Sequence, residues 1–224
     1  MKDNEILESI KQIRTSKKRN FNQTFDLIIN LKNLNMKNPE HQLDLFVPLH
    51  HSFKKLSYCA LIGPELQEQA KILNETILID DFEKINNKKN LKKLARKHDY
   101  FIAQATIMPK VAAIFGRVLG PKGKMPNPKA GCVVPPNANL KVLKERLDKT
   151  IRVSAKISPM VQVGVGKENM KDEEIVDNIK TIYDGVIHRL PNEENNIESV
   201  YLKLTMGKPI KIEERKKRKG DKQK

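Results

Sequence analysis

The residues best suited to chemistry lie in the stretch GRVLGPKGKMPNPKAG, which runs from Gly116 to Gly131. It contains four glycines, three prolines and no acid, and its four cations are Arg117, Lys122, Lys124 and Lys129. In a P-loop the motif GxxxxGK comes directly after a strand. The residue that follows the motif is Ser or Thr, because its hydroxyl binds magnesium. Here Met125 follows Lys124, and a helix is predicted before the glycines. No GxGxxG turn follows a predicted strand either, so we expect no nucleotide cofactor.

Metal and nucleophile chemistry have little support in the sequence. His50 and His51 are adjacent, so in a strand they would point to opposite faces, and no acid or cysteine is near them in sequence. Cys59 and Cys132 lie far apart without CxxC spacing, so we expect them to fill strands as small apolar side chains. No serine lies in a nucleophile elbow. We therefore expect no metal site, no cofactor and no catalytic residues.

The charge balance indicates a polyanionic partner. The 224 residues contain 43 Lys+Arg and 27 Asp+Glu, a net charge of +16, which favours nucleic acid. No apolar run approaches the ~20 residues that span a bilayer, and the N-terminus lacks a signal-peptide segment, so a cytosolic protein is expected. The last residues, from 215 to 224, are rich in Lys and Arg and predict a disordered basic tail that binds phosphate.

Strands that alternate between apolar and polar residues lie near both ends of the chain. In the first of them, Phe21, Phe25, Leu27, Ile29 and Leu31 are predicted to share a buried face. A later strand is predicted to place Ile151, Val153, Ala155 and Ile157 inward. Their outward faces carry hydroxyls, amides and spaced cations, which suit either an RNA surface or an ordinary solvated sheet face. These faces alone do not decide between the two, but the net charge favours RNA.

Between these strands, short apolar runs alternate with helical segments. YCALIG, TILI and YFIAQ are predicted strands, and PELQEQAKILN, EKINNKKNLKKLARK and MPKVAAIFGRVL are predicted helices. This order predicts a three-layer, Rossmann-like α/β domain over 63–154. It is inserted into a discontinuous α+β domain, an antiparallel sheet with helices of the split β-α-β type, formed by 1–62 and 155–214.

Three motifs in the same order resemble one known family. GRVLGPKGKMPNPKAG, FNQTFDLIINL and SVYLKLTMGKP are similar to segments of the first-numbered protein of the large ribosomal subunit, the universal side-stalk or ell-one family. The resemblance covers nearly all of the chain. Lys124 after Gly123, together with the compact length, is similar to archaeal members. The resemblance implies the two-domain architecture described above, with the discontinuous domain as the main rRNA contact.

The resemblance also implies a site and a function. The implied rRNA-contacting residues are Phe21, Gln23, Thr24, Lys167, Ser199, Thr205, Met206 and Gly207. The protein would bind the rRNA of the mobile stalk, assist release of deacylated tRNA from the exit site and repress translation by binding its own mRNA. The cations of the opening stretch would form a secondary basic loop that faces the tRNA or the other domain. The alternative is an α/β enzyme that processes nucleic acid or nucleotides.

Overall fold

The computed structural model describes residues 3–15, 19–85 and 87–212, so the predicted tail lies outside the described residues. The helices are α1 (Asp3–Arg14), α2 (Gln67–Ala70), α3 (Phe82–Ile85), α4 (Lys88–Lys97), α5 (Met108–Leu119), α6 (Leu140–Lys149) and α7 (Asp172–Ile187). The strands are β1 (Thr24–Leu31), β2 (Leu43–Pro48), β3 (Tyr58–Ile62), β4 (Glu75–Leu78), β5 (Tyr100–Gln104), β6 (Val133–Val134), β7 (Thr150–Ala155), β8 (Met160–Lys167), β9 (Ile197–Leu204) and β10 (Ile210–Lys211). No helix among them is both long and apolar enough to cross a bilayer.

The described chain divides into two compact units. Both contain helices, and the chain has antiparallel as well as parallel sheets. Unit 1 comprises the described residues up to 53 and from 149 onward, and unit 2 comprises residues 54–148. These limits differ from the predicted boundaries after residues 62 and 154, because β3 pairs with the strands of unit 2 and β7 pairs with β2 of unit 1.

An antiparallel sheet with the strand order β10-β9-β1-β8 organises unit 1. Because α7 connects β8 to β9 and β1 lies between these two strands, the arrangement is a split β-α-β unit. Burial alternates strictly along β1, as its sequence pattern predicts. The buried face packs against α1 and α7, and the apolar stripe of each helix joins the same core.

A two-stranded ribbon of β2 and β7 completes unit 1. On its polar side, the Asp44 carboxylate accepts hydrogen bonds from the Arg152 guanidinium at 2.8 and 3.1 Å, and Lys156 lies 2.8 Å away. The hydrogen bond from Arg152, followed by that from Lys156, lowers the pKa of Asp44 despite its partial burial. The prediction for Ile157 was wrong: β7 ends at Ala155, so Ile157 lies in the following turn with 95% of its surface exposed.

Unit 2 contains a parallel sheet with the order β4-β3-β5-β6. Every residue of β3 is buried, as in a strand covered on both faces. The segment PELQEQAKILN, which was predicted to be one helix, forms only short helical turns, and its α-helical part, α2, has four residues. The next predicted helix is divided into α3 and α4, because the Asn87 side chain accepts a hydrogen bond from the Lys89 N–H and begins α4 there.

Candidate nucleic-acid interface

The face of the unit 1 sheet opposite the core is mostly polar and partly exposed, with Ile28 at its centre and the Phe53 ring beside Gly164. We call it the open face, and it carries Thr24, Asp26 and Asn30 of β1, Gln162 of β8, and Tyr201 and Lys203 of β9. These side chains share a face because β1 pairs with both neighbours, and residues two apart point the same way. Hydroxyl, amide and ammonium groups are thereby presented together on one surface.

The start of β1 and the residues after β9 are joined at one end of this face. The Thr205 hydroxyl donates to the Thr24 carbonyl oxygen at 3.2 Å and accepts from the Thr24 N–H at 3.3 Å. The Thr205 N–H donates to the same carbonyl at 3.0 Å. Two segments separated by 181 residues in sequence thus form one local structure. We call this structure the clasp, and it comprises Gln23, Thr24, Thr205 and Met206.

Gln23 completes the clasp from inside the protein. Its side chain is only 2% exposed, and its Oε1 accepts the Met206 N–H at 3.2 Å. The resemblance implies an rRNA contact at Gln23, but this oxygen is already used in holding the Thr205–Gly207 turn. The turn itself is tight, since the Gly207 N–H donates to the Leu204 carbonyl at 2.8 Å. A β-carbon at Gly207 would lie 3.4 Å from Leu204, an ordinary contact distance.

Two large apolar side chains are exposed in the segments that form the clasp: Met206 is one of its residues, and Phe21 precedes Gln23 by two residues. Phe21 is 54% exposed and Met206 is 61% exposed. The prediction that Phe21 shares the buried face of β1 was wrong, because the strand begins at Thr24 and Phe21 precedes it. Each of the two leaves a large apolar group for a binding partner to cover.

Lys167 lies at the same end of the open face, because it is paired with Thr24 across β1 and β8. The turn that follows Lys167 is fixed by Arg14 at the end of α1. Its Nη1 donates to the Glu168 carbonyl at 2.5 Å, Nη2 to the Met170 carbonyl at 2.7 Å, and Nε to Asp172 Oδ1 at 2.7 Å. Sequence reasoning missed Arg14, because these partners lie more than 150 residues away in sequence.

Ser199 is not part of this cluster. It pairs with Asn30 at the other end of β1, where the Asn30 Nδ2 donates to its hydroxyl at 3.0 Å. Six residues separate it from Thr205, which corresponds to roughly 20 Å along a strand. The structure therefore gathers Gln23, Thr24, Lys167, Thr205, Met206 and Gly207, with Phe21 two residues before this group in sequence, and places Ser199 at the opposite end of the open face.

The stretch from Gly116 to Gly131 begins in the last turns of α5 and continues as an ordered loop in unit 2. Gly123 and Gly131 have positive φ values of 65° and 77°, which favour glycine at these turns. The Lys124 Nζ donates to the His98 carbonyl at 2.6 Å, so this cation stabilises the loop. Three cations of the predicted basic loop remain exposed: Arg117, Lys122 and Lys129.

The described residues contain no group of His, Cys, Asp or Glu side chains that could hold a metal ion. Cys59 and Cys132 are both free and buried; Cys59 lies in β3 as expected, whereas Cys132 precedes β6 and is not in a strand. Burial raises the pKa of Cys59 to about 12 and that of Cys132 to about 11. Neither thiol is therefore a ready nucleophile at neutral pH.

Comparison with known proteins decides the family. Residues 11–208 match the model of the Ribosomal protein L1p/L10e family. The chain belongs to this family. The Nanoarchaeum equitans protein named "Large ribosomal subunit protein uL1" is 41% identical over 211 residues, covering 92% of this chain and 98% of the relative. The protein of the same name from Methanocaldococcus jannaschii is 40% identical over 218 residues, covering 96% of this chain and 97% of the relative.

A third archaeal relative, from Pyrococcus abyssi, carries the same name and is 39% identical over 212 residues, with 92% and 94% of the two chains covered. The recognition of a ribosomal L1 chain of archaeal type is thus confirmed. Members of the L1 family are ribosomal proteins of the cytoplasm that act as structural components and not as enzymes.

Proposed function

We propose that this L1-family chain is a structural constituent of the large ribosomal subunit and binds the rRNA of the stalk through the clasp end of its open face. The observation that supports this best is the clasp itself. It joins the segment that follows the exposed Phe21 to the Thr205–Gly207 turn, which carries the exposed Met206, at the end of the open face where Lys167 lies.

The chemistry of these groups suits folded RNA. The Thr205 hydroxyl, whose own proton is donated to the Thr24 carbonyl, and the Gly207 carbonyl can accept hydrogen bonds from ribose hydroxyls, and Lys167 can neutralise a phosphate. Phe21 and Met206 exclude water around these bonds. Hydrogen bonds are stronger in such a low-dielectric setting and cost more when a partner is missing. The site would therefore recognise one RNA shape and bind unrelated RNA weakly.

Further roles follow from the same proposal. The two units would act as separate domains, with unit 2 inserted into unit 1, and the exposed cations Arg117, Lys122 and Lys129 would contact exit-site tRNA and assist its release. An mRNA segment that imitates the rRNA site would occupy the same open face, so the protein would also repress translation of its own mRNA. The resemblance supports these roles. Ser199 and Asn30 would contact the RNA at the far end of the face.

Competitive binding tests the proposal directly. A stalk rRNA fragment is competed against an unrelated structured RNA of equal length at physiological salt. We expect strong preference for the stalk fragment, because hydrogen bonds to a folded RNA distinguish it while charge alone does not. Equal affinity for the two RNAs would contradict specific rRNA recognition and leave only general attraction by the net charge.

Thr205→Ala is expected to weaken stalk binding by about 1 to 3 kcal/mol, because it removes a hydroxyl at the centre of the site. Thr181→Ala is the matched control: the Thr181 hydroxyl donates to the Asp177 carbonyl at 2.8 Å within α7, outside the open face. Filter binding of both variants to the stalk fragment measures the effect. Equal affinities of the two variants would reject a role for Thr205.

Deletion of the basic tail from Arg215 is expected to flatten the salt dependence of RNA binding while sequence preference is retained. Each phosphate contact contributes roughly 0.7 to 0.9 to the slope of log affinity against log salt. The measurement is a salt titration of the shortened and full chains with the stalk fragment. An unchanged slope would argue against any phosphate contact in the tail.

A further inference from the structure

The outward face of α4 in unit 2 carries a row of four cations that no role described above uses. Lys89, Lys92, Lys93 and Arg96 are spaced i, i+3, i+4 and i+7, so they lie on one side of the helix. We call this row the stripe. All four side chains are exposed, while Leu91, Leu94 and Ala95 form the buried side that packs in the core of unit 2.

The charge of the stripe is not neutralised within the described residues. The helix contains no Asp or Glu, and none of the four side chains forms an ion pair in the part of the chain that the structure describes. The neighbouring Lys97 differs, because its ammonium is paired with the Glu75 carboxylate. Hydrogen bonds from Lys97 and His98 lower the pKa of Glu75, although burial by itself would raise it.

This arrangement is unfavourable in the isolated protein. Like charges at i and i+4, such as Lys89 with Lys93 and Lys92 with Arg96, destabilise a helix. Cations in the first turn, here Lys88 and Lys89, also oppose the helix dipole. Charges that destabilise their own helix are expected where the same residues bind a partner. A polyanion that lies along the stripe would remove the repulsion.

We propose that the stripe binds the phosphate backbone of double-helical RNA. Seven residues of helix correspond to about 10 Å, so the four cations can reach several phosphates. Binding of single strands generally uses aromatic stacking, and the stripe contains no aromatic residue. It also contains no apolar anchor of the kind found at the centres of protein interfaces. The surface lies in unit 2, so it is independent of the clasp and does not rest on the function proposed for it.

The test is binding of the full chain to an RNA duplex of roughly 16 base pairs. The stripe variant carries Lys89→Gln, Lys92→Gln and Lys93→Gln. The matched control carries Lys55→Gln, Lys71→Gln and Lys141→Gln, which are exposed lysines of the same unit outside α4. Both variants lose three charges, so any difference between them reports position and not net charge.

We expect the stripe variant to bind the duplex about tenfold more weakly than the control, with a salt slope lower by about 2. Glutamine and lysine have similar helix propensity, so removing the repulsion should leave the thermal midpoint equal or higher. Single Lys93→Gln serves as a second variant with the smallest change to α4. Equal duplex affinities of stripe and control variants would overturn the proposal, as would tighter binding to anionic phospholipid vesicles than to the duplex.

The Thr205→Ala variant separates this inference from the proposed function. Its affinity for the duplex should match that of the unsubstituted chain, because Thr205 belongs to the clasp, whereas the duplex phosphates are bound by the stripe. If Thr205→Ala has no effect on stalk binding but the stripe variant loses duplex binding, the proposed function fails and the stripe stands. If Thr205→Ala weakens binding to the stalk fragment but the stripe variant binds the duplex as well as its control does, the stripe is rejected and the clasp stands.

Discussion

Asn178→Ala is expected to lower the free energy of unfolding of unit 1 by about 2 to 4 kcal/mol. Asn178 lies on α7 and is completely buried. Its Nδ2 donates to the His51 carbonyl at 3.0 Å and to the Val165 carbonyl at 2.9 Å, and its Oδ1 accepts the His51 N–H at 3.2 Å. Alanine would leave the buried Val165 carbonyl and the partly buried N–H and carbonyl of His51 without this partner, and would also open a cavity.

Amide hydrogen exchange of β1 and β8 measures this loss, since the slowest amides of a sheet report the opening of the whole unit. The matched control is Asn90→Ala on an exposed position of α4, where alanine should stabilise the helix slightly through its higher propensity. A change of less than about 1 kcal/mol for Asn178→Ala would mean that water replaces the amide without cost.

Asn178 also marks the limit of sequence reasoning about this fold. The spacing of Ile175, Ile179 and Ile182 indicates an apolar stripe along α7, and Asn178 lies three residues after Ile175 and next to Ile179 on that stripe. A polar residue at such a position indicates a buried hydrogen-bonding group. Its partner could not be inferred, because the segment at His51 lies 127 residues away and leaves no periodic pattern. Periodicity predicts which face is buried, while long-range pairing depends on tertiary packing.

The same distinction holds for the candidate site. The Thr205–Gly207 turn and β1 were recognised from motifs, and alternation predicted the polar face that they share. The exposure of Phe21 was missed because alternation was extended beyond the true start of β1 at Thr24. The buried position of Gln23 was missed because a polar residue before a strand is ordinarily solvated, whereas here its Oε1 accepts the Met206 N–H and its carbonyl accepts the Glu168 N–H.

The role of Arg14 is visible only in the tertiary structure. This residue connects α1 to the clasp through a chain of hydrogen bonds. Arg14 Nη1 donates a hydrogen bond to the Glu168 carbonyl, and the Glu168 N–H donates to the Gln23 carbonyl at 2.9 Å. Gln23 Oε1 in turn accepts the Met206 N–H. A guanidinium provides donors in a fixed planar arrangement, and this one also lies over the Phe25 ring at 5.5 Å. Arg14 thus positions the clasp without lying on the open face.

Arg14→Gln is therefore expected to weaken stalk rRNA binding about tenfold, equivalent to about 1.4 kcal/mol, while the salt slope stays unchanged. The slope is unchanged because no phosphate contact is lost. Exchange of the Glu168 and Met206 amides should become faster in the free protein, which tests the connection without any RNA. A cation that itself contacted phosphate would instead reduce the slope and leave these amides protected.

Arg152→Gln is the matched control, since Arg152 also forms a two-pronged pair, with Asp44, and lies over the Phe46 ring at 5.7 Å. It should alter the stability of the β2–β7 ribbon and leave stalk affinity unchanged, because the Asp44 pair lies in that ribbon and not in the clasp. Arg14→Lys separates charge from geometry: lysine keeps the charge but cannot bind two carbonyls and Asp172 together. If lysine restored full affinity and amide protection, charge alone would suffice and the positioning role of the guanidinium would be disproved.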